Sequence, residues 1–574
     1  MGTLFLCPLF PVFLRKCTHS LETFSSYIRI LKEFTCFFTK QCRRNIFMQH
    51  HRNAKPLMKP VRYILIFACF VPLFLFRDFT PNNELKYLSI ADEALRDGHL
   101  FTFWNHGTVY ADKPPLYLWI VMLGKWLWGT HNLFFLSLFS IIPALWIVYI
   151  MNKWTAGNLS GKIQKSGSYI LITSGLFTGA AIVLRMDMLM CLFIVLALYT
   201  FYKLYTGMAK TRDRFLLPLY IFLAVFSKGP VGFIVPLCSI VTFLLVKKEI
   251  RHFTRYMGWK QWCLLLGLCF LWFGAVYAEG GKSYLDNLLF HQTINRAIDS
   301  FHHQAPFWYY FTTIWYSLAP WTLFYIVVIL LGLKKKTIKT DLEKLFLVTI
   351  GTTFLLLSLF SGKLDIYMLP VFPFIAYLSF LLYPNVPHKY LYFTIFLPAI
   401  AFSLAFPGIF IASYHIDFPL SDYPPVYIAA LILSLGGIGS LIYLFKKQLL
   451  HSANIISGSI LLAILTGSFA FPKLNPYIGF GDLACETEKI GKATDINSFF
   501  FYRFRSGENI DSYLNREIKN CNSTQLAELE KTQDFILLVK NKDLKSDREL
   551  YRIVKNKEIY IIGDYSIIIF YLNK

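Results

Sequence analysis

From residue 61 to residue 471 the chain alternates long apolar runs with short polar breaks. The runs lie near 61–76, 131–151, 167–183, 188–204, 215–227, 230–246, 261–278, 307–331, 346–361, 366–383, 391–413, 425–444 and 455–471. A helix needs about 20 apolar residues to cross the hydrocarbon of a bilayer, so the pattern predicts an all-α polytopic domain over 58–471 with about 13 transmembrane helices. One loop, at about 78–130, is long. Its Ile90-Ala91-Asp92-Glu93-Ala94-Leu95 segment has helical period, which predicts an amphipathic helix on the membrane with Glu84 at its start, either as a functional acid or as a cap. After 471 the pattern changes. Strand-like runs at 535–539, 559–562 and 567–571, around a polar helical middle, predict a small α/β domain over 472–574.

Composition agrees. The chain has 574 residues, 55% hydrophobic, 18% aromatic and 16% charged, with a mean hydropathy of +0.48. Soluble, collagen-like, disordered and disulfide-scaffold classes are excluded. A net charge of +23 would point to nucleic acid in a soluble protein, but in a polytopic one it marks cytoplasmic loops and contact with anionic membrane lipid, with no nucleic-acid partner. Lys153, Lys162 and Lys165, then Lys203 to Arg214, Lys247 to Lys260, Lys334 to Lys344, Lys389, Lys446 and Lys447 fall between alternate runs. The positive-inside rule places them in the cytoplasm and, with an odd span count, places 472–574 outside. Residues 1–57 are basic and hold Cys7, Cys17, Cys36 and Cys42 without metal-ligand spacing. Either the biological start is Met58 or Met48, or this segment is a membrane-surface extension. Cys485 and Cys521 either pair in an oxidising compartment or stay free.

The loops on the far side are poor in charge apart from a few clusters. These are Asn83-Glu84-Leu85-Lys86-Tyr87, Asp112-Lys113-Pro114-Pro115, Arg185-Met186-Asp187, Ser227-Lys228-Gly229-Pro230, His291 to Arg296, and Lys363-Leu364-Asp365-Ile366-Tyr367. Each alone reads equally well as a turn or a solvated face. Together, cations that the insertion rule disfavours outside, grouped with acids and His291, suit a phosphate or pyrophosphate at the membrane surface. Apolar spans beneath them would take a lipid tail.

At these residues the chain resembles the aminoarabinose transferase branch of the bacterial protein-mannosyltransferase-like glycosyltransferases, which are GT-C enzymes. Pro-Asn-Asn-Glu-Leu-Lys-Tyr, Ala-Asp-Lys-Pro-Pro-Leu-Tyr, Ser-Lys-Gly-Pro-Val-Gly, His291 followed by Arg296, Pro-Phe-Trp-Tyr-Tyr and Gly-Lys-Leu-Asp-Ile-Tyr-Met-Leu-Pro carry the resemblance in that order, over about 58–470. It implies a GT-C fold in the bacterial inner membrane with a periplasmic site, and a polyprenyl-phosphate sugar as donor. The acceptor it implies is lipid A, another envelope glycan or a protein. It assigns the donor phosphate to Lys113 and Arg296, with Lys86, Tyr87, Lys228 and Lys363 beside them, and a divalent zinc or magnesium to Asp112, His291 and Tyr367. The family's first loop carries Asp-Glu-x-Arg-Tyr, with the Asp proposed in catalysis. Here Asn83 stands at that position, and an amide cannot take a proton, so the role of base passes to Glu84 or Asp187, or the acceptor needs none. Lys86 replaces the Arg, keeping charge but not bidentate geometry.

Three other readings stand beside this one. A transporter or flippase would place ionisable residues at mid-membrane and break its helices there; these runs hold almost none, and their Gly and Pro sit mainly at run ends. A ligase using a polyprenyl-diphosphate donor is the second, and a catalytically impaired relative, raised by Asn83, is the third. The chain has no phosphate-cradling Gly-rich loop opening a helix.

Overall fold

The computed structural model describes residues 60–290, 304–415 and 422–572. Every apolar run falls on a helix or a broken pair of helices. The runs at 61–76, 131–151 and 188–204 become Pro60–Phe76, Leu133–Thr155 and Asp187–Tyr205, and those at 425–444 and 455–471 become Pro424–Phe445 and Leu449–Gly467. Among the described residues, eight helices are long and apolar enough to cross a membrane, or up to ten if each bent pair is one span. This is a multi-pass membrane protein. The run at 307–331 is not one straight span: Tyr309–Ser317 and Thr322–Lys334 meet at 120°. The 167–183 run breaks between Gly161–Ile172 and Gly175–Ile182, where Thr173 and Ser174 turn their hydroxyls back onto the carbonyls of Tyr169 and Ile170.

The bundle core is apolar and aromatic, with a few polar ties between helices. Asn152 donates to Tyr63 and Ser168, and Tyr377 donates to Asn152. Without a hydrophobic force between helices in lipid, such bonds fix register. Trp259–Asp286 turns Leu266, Phe270 and Leu271 outward, where a bilayer would solvate them.

Between the first two long helices the chain leaves the bundle. Pro60–Phe76 is followed by a π-turn, Pro81–Leu85, and an amphipathic helix, Lys86–Asp97, bent 80° from the first. A small hairpin absent from the sequence expectation comes next, β1 (Trp104–Asn105) and β2 (Thr108–Val109), turning at His106 and Gly107 with φ of 52° and 73°. Two positive φ angles give the turn that matches strand twist. Pro114-Pro115 then opens the apolar helix Leu116–Trp128.

The C-terminal residues form a five-stranded mixed sheet in the order β4-β3-β5-β7-β6. The strands are β3 (Phe499–Tyr502), β4 (Lys519–Cys521), β5 (Phe535–Lys540), β6 (Ile559–Ile562) and β7 (Tyr565–Phe570). β5 is buried on both sides, as a central strand covered on both faces must be. β3 and β4 were not anticipated: β3 is an unbroken aromatic run and β4 carries Lys519 and Asn520 at an edge, so neither alternates. One face of the sheet packs with Phe480 and Ile510 onto Leu85, Ile90 and Ala91 of the first loop. Cys485 and Cys521 are free thiols.

Candidate functional site

The first loop is fixed by two carboxylates. Glu84 is fully buried and takes both guanidinium nitrogens of Arg77, at 2.5 and 2.8 Å. It also accepts from the Thr80 amide (2.7 Å), the Thr80 hydroxyl (3.0 Å) and the Leu184 amide (2.8 Å). Five donors on two oxygens leave little capacity for a substrate. Glu84 therefore ties the π-turn to the segment just before Asp187. Asp78, next to Arg77, accepts from the Gly481 amide at 2.6 Å and from the Tyr513 hydroxyl, fastening the C-terminal domain. Gly479 and Gly481 are needed there, since a Cβ on either would come within 2.2 or 2.7 Å of the Asp78 carboxylate.

Most of the expected site residues gather beside this anchor. Asp187 opens its helix and Lys228 closes the helix Asp213–Lys228, so each charge complements the dipole of its own helix end. They meet as a buried ion pair, and Arg185 reaches the same carboxylate at 3.0 Å. Gly229, at φ +95°, makes the sharp turn after Lys228 that other residues resist. The Lys228 ammonium lies 4.5 Å from the centre of the Tyr367 ring. Lys113 pairs with Asp112 at 3.0 Å with both side chains partly open, and its charge reaches Lys228. Tyr87 is buried among the charges of Arg185, Asp187 and Asp112 and the phenol of Tyr367. Lys86 sits over the Tyr110 ring at 4.7 Å, whose hydroxyl is 3.5 Å from Asp112. Sequence stretches from five separate loops and helix ends thus meet in one patch rich in cations.

Two of the expected residues stand apart from this patch. Lys363 is buried, and its ammonium donates to the carbonyls of Ala305 and Phe360 at 2.8 and 2.5 Å; it closes a loop neck. Asn83 is exposed on the π-turn, one position from the buried Glu84. Arg296 and His291 lie outside the described residues. Among the described residues no three His, Cys, Asp or Glu side chains converge as metal ligands. Asp112 and Tyr367, two of the expected metal donors, already face the ammonium groups of Lys113 and Lys228, which disfavours a further cation on them.

Sequence reasoning gave no role to Arg77 or Asp78. Charges directly after a span are ordinary; Arg77 gains its purpose from the buried Glu84 on the π-turn, and Asp78 from Gly481 and Tyr513, hundreds of residues away in sequence.

No family model matches the chain. An uncharacterised protein of Aquifex aeolicus (strain VF5) is 27% identical over 303 residues, 52% of this chain and 58% of that protein. The undecaprenyl phosphate-alpha-4-amino-4-deoxy-L-arabinose arabinosyl transferase of Wigglesworthia glossinidia brevipalpis is 26% identical over 323 residues, 54% of this chain and 56% of that protein. The chain spans little more than half the length of the curated relatives it matches. Over the whole fold, the crystal structure of ArnT from Cupriavidus metallidurans bound to undecaprenyl phosphate superposes with a TM-score of 0.69 at 14% identity, covering 89% of this chain and 98% of that one. The apo structure of the same protein also gives 0.69, at 15% identity. The chain resembles the aminoarabinose transferases in sequence and shares their fold.

Proposed function

We propose that this protein is a membrane glycosyltransferase that moves a sugar from a polyprenyl-phosphate donor to an acceptor in the bacterial envelope. The observation that carries the reading is the convergence of Lys113, Arg185 and Lys228 around Tyr87, Asp112, Asp187 and Tyr367 at one end of an apolar bundle. In this reading thirteen spans cross the inner membrane, and the patch and the C-terminal sheet face the periplasm, where nucleotide sugars are absent and a lipid-borne donor is required.

The donor phosphate sits against Lys113, with Arg296 and Lys86 completing its cationic surround. Arg185 and Lys228 add positive potential from behind. As the bond from the anomeric carbon to the phosphate oxygen breaks, charge grows on the leaving phosphate, and fixed cations in a partly dry site stabilise that charge more than the ground state. The acceptor oxygen attacks the opposite face of the anomeric carbon, inverting it, and the polyprenyl phosphate departs as a monoester.

Base catalysis is the weaker part of the family analogy here. Asn83 cannot accept a proton, Glu84 is saturated with donors, and both carboxylate oxygens of Asp187 are engaged by cations, Lys228 and Arg185. An acceptor whose oxygen already carries negative charge needs no base. This favours a phosphate on a lipid acceptor such as lipid A over a Ser or Thr hydroxyl. The zinc or magnesium that the family resemblance assigns to Asp112, His291 and Tyr367 has Lys113 and Lys228 beside two of its three donors as competition, and metal content of the purified wild type against Asp112→Ala and His291→Ala tests it. The functional test is transfer in vitro from an undecaprenyl-phosphate sugar to phosphorylated and dephosphorylated lipid A. Modification of the phosphorylated form alone is expected, and modification of a hydroxyl-only acceptor would reject the base-free reading.

A further inference from the structure

A second basic site lies in the C-terminal domain, on the sheet face opposite the one that docks on the first loop. The helix Arg548–Val554 covers β5 and β7 but stops short of the edge strand β6. Between that helix and the edge runs a cavity of about 690 Å³, lined by Lys545, Arg548, Tyr551, Arg552 and Lys555 from the helical segments and by Ile559 and Ile561 from β6. That volume is in the range of small-ligand sites. Ile559 and Ile561 are 41% and 70% exposed and Tyr551 is 58% exposed, an uneconomical arrangement for a solvated strand. Ile559 and Ile561 share a face with Ser566 and Ile568 through the β6–β7 register.

The charges are unbalanced. None of the four cations forms an ion pair among the described residues. The one acid in the lining, Asp547, is already engaged: it accepts from the Tyr502 hydroxyl at 2.7 Å and from the amides of Glu549 and Leu550. Three hydrogen bonds hold its carboxyl below the usual range. An anion is what this groove lacks, and an apolar body attached to the anion would cover the isoleucines.

Position says where such a ligand would come from. Gly563, in the β6–β7 turn, lies against Pro476 so closely that a Cβ would be 2.1 Å from its carbonyl oxygen. Pro476 belongs to the short helix Phe471–Ile478, which continues from the last apolar helix, Leu449–Gly467. Asn541, at one end of the cavity, donates to the Gly563 carbonyl at 2.9 Å. The groove therefore opens beside the point where the chain leaves the membrane, and Tyr477 and Ile478 there are themselves 39% and 40% exposed.

We infer that the groove between Arg548–Val554 and β6 binds the anionic headgroup and first acyl carbons of a membrane phospholipid. Four cations at an anionic surface, each able to tighten binding about fivefold, would hold this domain down on the bilayer. The inference does not depend on the transferase reading.

The test uses the full-length protein in phosphatidylcholine nanodiscs, titrated with dioctanoyl phosphatidylglycerol while amide exchange of 544–562 is followed. Phosphatidylglycerol should slow exchange in this segment, and inorganic phosphate or dioctanoyl phosphatidylcholine should not. Arg548→Gln with Arg552→Gln, both on the exposed side of the helix, should weaken the effect about 25-fold, the product of two cations, whereas Lys113→Ala should leave it unchanged. Equal protection by both lipids, protection surviving the double variant, or protection by inorganic phosphate alone would overturn the inference. Protection by an acidic peptide, confined to 559–562 and without lipid response, would overturn it in favour of strand addition at the β6 edge.

Discussion

Replacing Glu84 by Gln separates an anchoring carboxylate from a catalytic one. The buried Arg77 guanidinium has its bidentate partner in Glu84. A neutral amide keeps the shape but leaves that charge without compensation and sets an NH2 donor against either the Leu184 amide, which donates to one oxygen, or the Thr80 amide, which donates to the other. Breaking a buried pair by neutralising one member costs about 3–5 kcal/mol, which raises the population of locally open loop by about two to three and a half powers of ten. The readout is amide exchange in the full-length protein at Thr80 and Leu184, the two residues whose N–H groups donate to Glu84. Glu84→Gln should speed exchange at both by at least about a hundredfold. Adding Arg77→Met should restore much of the protection, because the orphaned charge is gone. Transfer activity should fall with loop order and recover in part in the double variant. Unchanged exchange in Glu84→Gln together with abolished transfer would refute the anchor and make Glu84 the base.

Other consequences are equally direct. Lys113→Ala should lower transfer about 10²- to 10³-fold, the loss typical of a donor removed from a developing anion, while thermal stability barely moves because its pairing with Asp112 is partly exposed. Asp187→Asn leaves the buried Lys228 without its carboxylate, so melting temperature should drop along with activity; stability unaffected by this change would argue against the pair. Asp78→Ala removes the acceptor for Gly481 and Tyr513 and should speed proteolysis in 471–481 by about tenfold or more. His106 reaches Asp511 from the tip of the β1–β2 hairpin at 3.0 Å. Burial pulls its imidazole down, but the Asp511 carboxylate outweighs it and the net shift is upward. A raised histidine stabilises docking fully below its unfolded value near 6.5 and loses that contribution as pH rises through the shifted value. Protection at 103–110, taken relative to the intrinsic base-catalysed exchange rate at each pH, should therefore fall from pH 6 to pH 8 in the wild type, and His106→Gln should flatten that profile.

Hydropathy made the bundle legible because each span is a long local pattern. What it could not supply was angle: the 120° bend between Ser317 and Thr322, with Pro320 inside it, and the break at Thr173, where hydroxyls bond back to carbonyls, are single-residue features that a window average smooths away. The cationic patch was legible for a similar reason, since Lys113, Arg185 and Lys228 fall in the loops that the alternation of basic clusters otherwise leaves poor in cations. Their roles were less so. Glu84 and Lys363 look alike in sequence to active-site charges, yet one is held by Arg77, 7 positions back, and the other by backbone carbonyls. The β1–β2 hairpin escaped notice because four strand residues carry almost no periodic signal, and β4 because its edge position removes the apolar alternation.

The most direct test of the central claim is turnover of a purified undecaprenyl-phosphate sugar by the full-length protein in nanodiscs, with mass spectrometry of both lipid products. Free undecaprenyl phosphate should appear in step with a glycosylated, phosphate-bearing lipid acceptor, and both should be lost in Lys113→Ala. Donor that stays intact with every envelope acceptor offered, or that crosses the bilayer unchanged, would contradict it.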